Sequence, residues 1–384
     1  MNSRSIGRDI AINGRFLTQK LSGVQRYSRE LVTALDRLIH IDPDRIGDSR
    51  WRLLVPPGAN LDLELHAISV ETVGSRGGHI WEQRDLARAA AGSRLLNLGN
   101  SGPLMHRDKI VVIHDAAVFR TPDNFGWRYR LAHRALGHAL ARTGRIGTVS
   151  QFSREELAQV LHLRKEAILL VRNGCDHFVD RPRDERVLAD LGLERGRYFL
   201  FVGSPAPNKN LPVLLDAFAR LDRPMAKLVV AGSLDRSVFG GQGAAAAESV
   251  VLAPGRTDAE IAALYANAAA HVFPSLYEGF GIPPLEAMAS GCPVIASDIP
   301  VVREVCGDGA CYFPAHDAHI LADVMRRHWD DPAVGLQRKQ AEQERVARFR
   351  WEDSARSLLD ALTLPQPRLS GSVRPAAVPS PRAR

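Results

Sequence analysis

The chain has 384 residues, of which 45% are hydrophobic and 24% are charged, values that are typical of a folded globular protein. At roughly 100–200 residues per domain, this length predicts two domains with buried cores. No apolar run approaches the ~18 residues that a membrane-spanning helix needs. The first residues also lack the apolar core of a secretory signal, so we expect a cytoplasmic protein.

The net charge of +7 is unevenly distributed along the chain. Residues 1–186 contain 29 Lys and Arg against 21 Asp and Glu, whereas the remainder is close to neutral. This asymmetry is consistent with a first half that faces an anionic membrane surface or a phosphorylated acceptor, and equally with a solvated basic face. No nucleic-acid-binding module is recognisable, so no nucleic-acid partner is expected. The four scattered cysteines lack the spacing of a zinc site, and no bound metal is expected.

In chain order, short β-branched runs alternate with longer amphipathic segments. The predicted strands of the first half lie in DIAING, RLLVPP, AISVETV, RLLNLG, KIVVIHD, IGTVSQFS and AILLVRNG. Those of the second half lie in RYFLFVG, KLVVAG, SVVLAPG, AHVFPS, PVIASD and ACYFPA. Strands that alternate with helices predict βαβ units and parallel sheets covered on both faces. The fold class is therefore α/β, with two Rossmann-like domains.

We expect an N-terminal domain over residues 1–180 and a second domain over 190–347. A polar, proline-containing stretch, 177–192, is the predicted linker and hinge. Residues 348–363 predict a helix, because apolar residues recur close to one face. Residues 364–384 are rich in proline, serine and arginine and are predicted to be disordered.

Two acids, Glu278 and Glu286, flank a glycine-rich turn in the segment EGFGIPPLE. Glu278 follows a predicted strand, at the edge of a parallel sheet where ligands bind. The glycines allow the backbone to approach a ligand, and the proline pair suits the first turn of a helix that starts near Pro284. Free N–H groups at such a helix start bind phosphate, and Glu286, placed in the first turn, could reach hydroxyl groups beside it. Alone, each acid would be interpreted as a surface or dipole-complementing residue; together with the glycines and prolines they predict a ligand site.

The segment EGFGIPPLE resembles the Glu-x7-Glu signature of the retaining glycosyltransferases of the GT4 family, which have the two-domain GT-B fold. Further segments match that family in order: SGVQRYSRELVTAL, VVIHDAAVFRTPDNF, TVSQFSREEL, VRNGCD, NKNLPVLLDAF and RWEDSARSLLDAL. The resemblance covers nearly the whole chain except the tail. It implies a C-terminal helix that crosses back to the first domain.

The resemblance implies roles for individual residues. Glu286 would bind the ribose hydroxyls of a nucleotide, and Glu278 would contact the transferred sugar. Lys209 matches the family's phosphate-binding lysine, in a loop after a strand, where an ammonium group could neutralise a departing diphosphate. Backbone N–H groups that face the sugar and the diphosphate would come from Gly279, Phe280, Gly281 and Ile282.

The chain departs from the family shortly before Lys209. The family often has an arginine there, whereas this chain has Ser204 and Asn208. Arg303 or Arg26 could supply the missing cation, and the sequence does not choose between them.

Two further candidates lie in the first half. His114 follows KIVVI at the end of a predicted strand, and the resemblance implies that it approaches the donor sugar, although alone it would be interpreted as a loop histidine. Asp115 is interpreted as a structural residue that accepts bonds from loop N–H groups. Gly23, in LSGVQRY, matches the glycine loop after the first strand, near the diphosphate and the acceptor. This loop lacks the G-x-G-x-x-G pattern, so dinucleotide binding is not supported.

The resemblance implies a metal-independent hexosyltransferase that acts with retention and has no cofactor apart from its nucleotide-sugar donor. It favours GDP-mannose over UDP- and dTDP-sugars, and a lipid-linked oligosaccharide as acceptor in bacterial surface polysaccharide synthesis, exopolysaccharide included. The protein would then act as a peripheral membrane protein at the inner face of the cytoplasmic membrane. Two alternatives remain: an enzyme resembling nucleotide-sugar 2-epimerases, or a non-catalytic glycan-assembly protein on the same fold.

Overall fold

The computed structural model describes residues 8–232 and 249–363, and within this part of the chain thirteen strands form two sheets. The first sheet contains β1 Ile10–Asn13, β2 Trp51–Val55, β3 Ser69–Thr72, β4 Arg94–Asn97, β5 Lys109–Val112, β6 Arg145–Thr148 and β7 Leu169–Leu170. The second contains β8 Tyr198–Val202, β9 Lys227–Ala231, β10 Val250–Ala253, β11 Ala270–Phe273, β12 Val294–Ser297 and β13 Ala310–Phe313. Each predicted run coincides with one of these strands, and the predicted α/β class is confirmed.

Helices connect the strands of both sheets. Around the first sheet they are α1 Gly23–Ile41, α2 Gly78–Trp81, α3 Ala87–Ala89, α4 Ala117–Arg120, α5 Trp127–Thr143 and α6 Gln151–Leu161, and a π-helical segment, Glu82–Leu86, joins α2 to α3. The later helices are α7 Arg186–Asp190, α8 Leu211–Ala219, α9 Asp258–Asn267, α10 Ile282–Ala289, α11 Pro300–Cys306, α12 Ala318–Asp330, α13 Ala333–Leu336, α14 Lys339–Arg348 and α15 Trp351–Thr363.

Both sheets are parallel throughout, and both reverse their strand order once. The first has the order β3-β2-β1-β4-β5-β6-β7, and the second has the order β10-β9-β8-β11-β12-β13. The reversal falls between β1 and β4 in the first sheet and between β8 and β11 in the second. In open parallel sheets, ligands bind beyond the carboxyl ends of the strands at such a reversal. The second sheet therefore brings the loops after β8 and β11 side by side.

The core of the second sheet follows from its apolar strands. A strand covered by helices on both faces reads as a continuous hydrophobic run, as in YFLFV of β8. Phe199 on β8 and Val230 on β9 are fully buried, and they belong to one cluster with Leu214 of α8 and Leu321 of α12. This packing supports the sheet edge from which the candidate site is built.

The described chain divides into two compact units. One comprises residues up to Arg120, 127–171 and those from Ala355 onwards; the other comprises 121–126 and 172–354. The predicted linker, 177–192, lies in the second unit and contains α7, and its role as a hinge stays a prediction. The predicted disordered tail, 364–384, lies outside the described residues.

Helix α15 is shared between the units, its first four residues going to the second unit and the rest to the first. At its start, the Ser354 hydroxyl donates to the Arg172 carbonyl over 2.7 Å. Near its end, the guanidinium groups of Arg94 and Arg145 donate to the carbonyls of Leu362 and Ala361 over 2.8 and 3.0 Å. The helix is thus held by hydrogen bonds to each unit.

Helix α14 carries a buried acid, Glu342, whose side chain is shielded from water. Glu342 is 4% exposed, and its Oε1 atom has no hydrogen-bond partner among the described residues. Burial raises the pKa of Glu342 from 4.5 to about 7, against the opposing charges of Arg338 and Lys339. Because this folded-state pKa lies above the unfolded one, ionisation of Glu342 destabilises the folded state. The free energy of unfolding is therefore highest at low pH, and it falls as the pH rises from about 4.5 to about 7.

Replacing Glu342 by Gln removes the free-energy cost of burying an ionised carboxylate, a cost that rises with pH. We expect Glu342→Gln to be more stable than the wild type at pH 8, by roughly 3 kcal/mol if the whole pKa shift is realised, with most of that gain gone near pH 5. Thermal unfolding between pH 5 and pH 8 measures it, with the exposed Glu344→Gln as control. Parallel pH profiles for Glu342→Gln and the wild type would contradict the assignment.

Candidate functional site

The loops after β8 and β11 are joined by hydrogen bonds at the carboxyl edge of the second sheet. The Asn208 side-chain amide donates to the Tyr277 carbonyl over 3.0 Å, and the Leu276 N–H donates to the Asn208 carbonyl over 2.8 Å. Asn210, in a left-handed conformation at φ 54°, donates from its side chain to the Pro274 carbonyl over 3.1 Å. Asn208 lies where the family often has an arginine. In the structure it positions the loop that carries Glu278.

Lys209 and Glu278 form an ion pair at this junction. Lys209 Nζ lies 2.6 Å from Glu278 Oε1, and the two side chains are 21% and 11% exposed. The Nζ atom also lies 5.8 Å from the centroid of the Phe273 ring. The pair places a cation that can bind an anion beside a carboxylate that can accept bonds from hydroxyl groups.

The turn after Glu278 leads directly into helix α10. Gly281 has φ 95° and ψ 70°, a left-handed conformation that favours glycine, although the space around its Cα would admit a methyl group. Phe280 and Ile282 are both buried, so their side chains pack into the protein at this turn. The helix begins at Ile282, two residues earlier than predicted, because both prolines occupy first-turn positions where an N–H is not needed.

Glu286 lies in the second turn of α10, not in the first turn as predicted, and the helix has no acid in its first turn. Its dipole-complementing interpretation therefore weakens, since that effect is confined to the first turn. Glu286 is 8% exposed, and its Oε1 lies 3.0 Å from Nε2 of His177. Nδ1 of the same imidazole lies 3.0 Å from Nε1 of Trp351. His177 could not be identified from the sequence, because nothing in its local sequence signals the contact.

His114 lies in the first unit, where it is buried and neutral. Its Nε2 lies 2.8 Å from the Leu98 carbonyl, to which it donates, and its backbone N–H donates to Asn100 Oδ1 over 2.7 Å. The ring meets Tyr27 edge-on, with centroids 4.7 Å apart. Burial lowers the pKa of His114 to about 4, against the opposing effect of the Leu98 carbonyl. At neutral pH this imidazole is therefore uncharged. It can form hydrogen bonds, but it cannot act as a general acid in the imidazolium form. Its predicted approach to a sugar stays a prediction.

The other first-unit candidates are helix and loop residues. Gly23 is exposed and is the first residue of α1, after Ser22 as N-cap in extended backbone. Asp115 Oδ1 accepts a bond from the Ala117 N–H over 2.8 Å, which agrees with a structural role. The structure thus gathers Lys209, Glu278, the turn 279–282 and Glu286 in the second unit, whereas Gly23 and His114 belong to the first.

A buried carboxylate at the reversal of the first sheet was also missed. Glu82 is fully buried and accepts hydrogen bonds from Asn13 Nδ2 over 2.7 Å and from Ser101 Oγ over 2.9 Å. Arg15 Nε lies 3.4 Å from the same carboxylate, and Asn13 also donates to Asn97 Oδ1 over 3.0 Å. This network fixes the ends of β1 and β4 and the start of the loop that leads to Gly23.

Both arginines considered as replacements for the missing cation have acidic partners. Arg303 binds Asp298 through two bonds of 2.7 and 2.8 Å and lies over the Tyr312 ring. Arg26 lies 3.7 Å from Glu30, one turn along α1. In the parts of the chain that the structure describes, no group of three or more His, Cys, Asp or Glu residues could hold a metal ion.

Residues 185–347 match the family model described as "Glycosyl transferases group 1". O-antigen chain mannosyltransferase B of Escherichia coli is 29% identical over 66% of this chain and 70% of its own length. O-antigen chain mannosyltransferase RfbU of Salmonella typhimurium is 31% identical over 56% of this chain, which spans 59% of that relative's length. The MMP alpha-(1->4)-mannosyltransferase of Mycolicibacterium hassiacum is 33% identical over 48% of this chain and 45% of its own length.

Among solved structures, the fold is similar to that of WaaG, described as a glycosyltransferase involved in lipopolysaccharide biosynthesis. The TM-score is 0.69 at 15% identity, over 92% of this chain and 99% of WaaG. Anabaena HepE in complex with UDP and glucose gives a TM-score of 0.71 at 18% identity, over 93% of this chain and 99% of its own. Residues 185–347 are thus similar to the family described as glycosyl transferases group 1, and the fold is shared with these solved structures.

Proposed function

We propose that this chain is a retaining, metal-independent hexosyltransferase that moves mannose from GDP-mannose to a growing, lipid-linked oligosaccharide in bacterial polysaccharide synthesis. The observation that carries the proposal is the Lys209–Glu278 ion pair beside the start of helix α10. It combines a cation, a carboxylate and a glycine-containing turn at the sheet edge where ligands bind.

The donor would be held by residues of the second unit. Glu286 would accept hydrogen bonds from the ribose hydroxyls, and Glu278 would accept bonds from the sugar. The backbone of the turn 279–282 would face the sugar and the diphosphate. Because Lys209 is already paired with Glu278, a bound diphosphate would share the ammonium group with that carboxylate.

In the transfer, the bond between the anomeric carbon and the diphosphate oxygen breaks, and its electron pair stays with the phosphate. Lys209, with backbone N–H groups of the turn 279–282, would stabilise that developing negative charge more in the transition state than in the ground state. The acceptor hydroxyl attacks from the same face, and its proton passes to the departing phosphate. A neutral His114 and the loop at Gly23 keep the roles that the resemblance implies.

The names of the relatives support mannose as the transferred sugar and an O-antigen-like glycan as the acceptor class. The helix start and carboxylates described above are compatible with any nucleoside diphosphate. The choice of GDP therefore rests on the relatives and needs a direct test.

Helix α5 supports an anionic membrane surface as a further partner. Within the described residues, no helix is long and apolar enough to cross a membrane. Helix α5 contains no acid, and its outward face exposes Trp127 and Leu131, each 64% exposed, beside the exposed Arg128 and Arg142. Apolar side chains flanked by arginines suit the interface of a bilayer with anionic headgroups. This face would bring the enzyme to a lipid-linked acceptor.

Nucleotide titration tests the donor class. We expect GDP to bind more tightly than UDP, dTDP or ADP in calorimetric titrations. Glu286→Ala should weaken GDP binding by about 10- to 100-fold, because charge-assisted hydrogen bonds to the ribose are lost. Glu344→Ala, on an exposed face of α14, is the control. Tightest binding of another nucleotide would overturn the GDP assignment, and no binding by any of the four would overturn the proposed function.

Removing the Lys209 charge tests the transfer step. We expect Lys209→Gln to lower kcat by about 10²- to 10³-fold in a mannosyl-transfer assay, since the leaving diphosphate loses a stabilising cation. Lys165→Gln, an exposed lysine of the first unit, should transfer at the wild-type rate. Release of free nucleotide without any acceptor would instead favour the epimerase alternative.

Co-sedimentation with vesicles tests the membrane surface, and two leucines of equal exposure make a matched pair. Leu131 of α5 and Leu336 of α13 are each 64% exposed. Leu131→Glu should reduce binding to phosphatidylglycerol-containing vesicles by about tenfold, because a charge replaces an inserting side chain. Leu336→Glu should bind as the wild type does. Equal binding by both variants would exclude the α5 face.

A further inference from the structure

The carboxylate of Glu286 is held by His177, which is in turn held by Trp351, and neither residue belongs to the set predicted to bind the donor. His177 Nε2 lies 3.0 Å from Glu286 Oε1, and Trp351 Nε1 lies 3.0 Å from His177 Nδ1. We propose that His177 is a positioning residue for nucleotide recognition, which orients Glu286 toward the ribose hydroxyls, and that Trp351 sets the tautomer of its imidazole. This inference rests on the proposed function of Glu286.

The hydrogen-bond pattern defines the tautomer. An indole N–H can only donate, so Nδ1 of His177 accepts and carries no proton. Nε2 must then carry the proton of the neutral imidazole, and it donates to Glu286 Oε1. The three side chains therefore form a one-directional chain of donors, from indole to imidazole to carboxylate.

The position of the imidazole is fixed by the backbone around it. The Cys175 N–H donates to the Phe349 carbonyl over 2.8 Å, and the Trp351 N–H donates to Asp176 Oδ1 over 2.8 Å. The two segments touch closely at Gly174, where an added Cβ would lie 2.4 Å from the Trp351 nitrogen. The His177 side chain is 3% exposed and so has little freedom to move.

A neutral donor has a specific advantage at this position. A lysine or arginine would hold the carboxylate but would also neutralise its charge. The neutral imidazole of His177 binds Oε1 without adding a positive charge beside the carboxylate, while Oε2 has no hydrogen-bond partner among the described residues. Ribose hydroxyls donate most strongly to an ionised acceptor whose direction is already set. Ribose recognition thus depends on a residue that need not touch the ribose.

The test compares GDP with 2′,3′-dideoxy-GDP, which lacks the hydroxyl donors. We expect the wild type to bind GDP about 30-fold more tightly than the dideoxy form, a ratio that falls below about 3-fold in His177→Phe. His177→Gln, whose amide can still donate, should keep most of the ratio. Trp351→Phe should give an intermediate ratio, since the imidazole is then free to change its tautomer.

The dideoxy affinity serves as an internal control for folding. A purely structural defect would weaken both ligands equally and leave their ratio at the wild-type value. If the ratio is lost in Glu286→Ala but kept in His177→Phe, this inference is wrong and the proposed function stands. If Glu286→Ala keeps the ratio, or GDP does not bind the wild type, the ribose role of Glu286 fails, and this inference fails with it.

Discussion

The parallel pairing of β8 with β11 is the constraint on which the candidate site depends. Ala270 pairs with Phe199 and His271 with Leu200, although these strands are far apart in the chain. Their carboxyl ends are thereby adjacent, and Lys209 meets Glu278 across a separation of 69 residues. The polar groups that close this junction, Asn208 and Asn210, bond to backbone carbonyls that only this pairing brings within reach. An ammonium and a carboxylate can be held in a fixed geometry here because the sheet beneath them is rigid and apolar.

The strands of both sheets could be predicted from the sequence. A parallel strand covered on both faces is apolar along most of its length, so runs such as FLFV and KIVV predict strands. The carboxyl end of each run then locates the loops that can carry a ligand site, and Glu278 was found there, whereas the roles of Lys209 and His114 were implied by the family resemblance. The burial of His114 could not be found in this way, because its environment comes from Leu98, Asn100 and Tyr27 on other elements.

Contacts between side chains that are distant in sequence could not be predicted. The start of α10 was placed two residues late, since a proline is accepted at several first-turn positions and does not mark one of them. The same error put Glu286 in the first turn. His177 was counted as part of a linker, and Trp351 as one member of an apolar helix face; their hydrogen bond joins residues 174 positions apart. Neither assignment contained the information that links the two residues.

The division of helix α15 between the units has a consequence for the order in which the two units can be completed during synthesis. The second unit comes mainly from one continuous stretch, 172–354, whereas the first needs the residues from Ala355 onwards. During synthesis the carbonyls that Arg94 and Arg145 bind are among the last groups of the described chain to be made. The first unit can therefore complete these two hydrogen bonds only after the whole of 172–354 has been synthesised. The first unit begins earlier in the chain than the second, yet it is completed later.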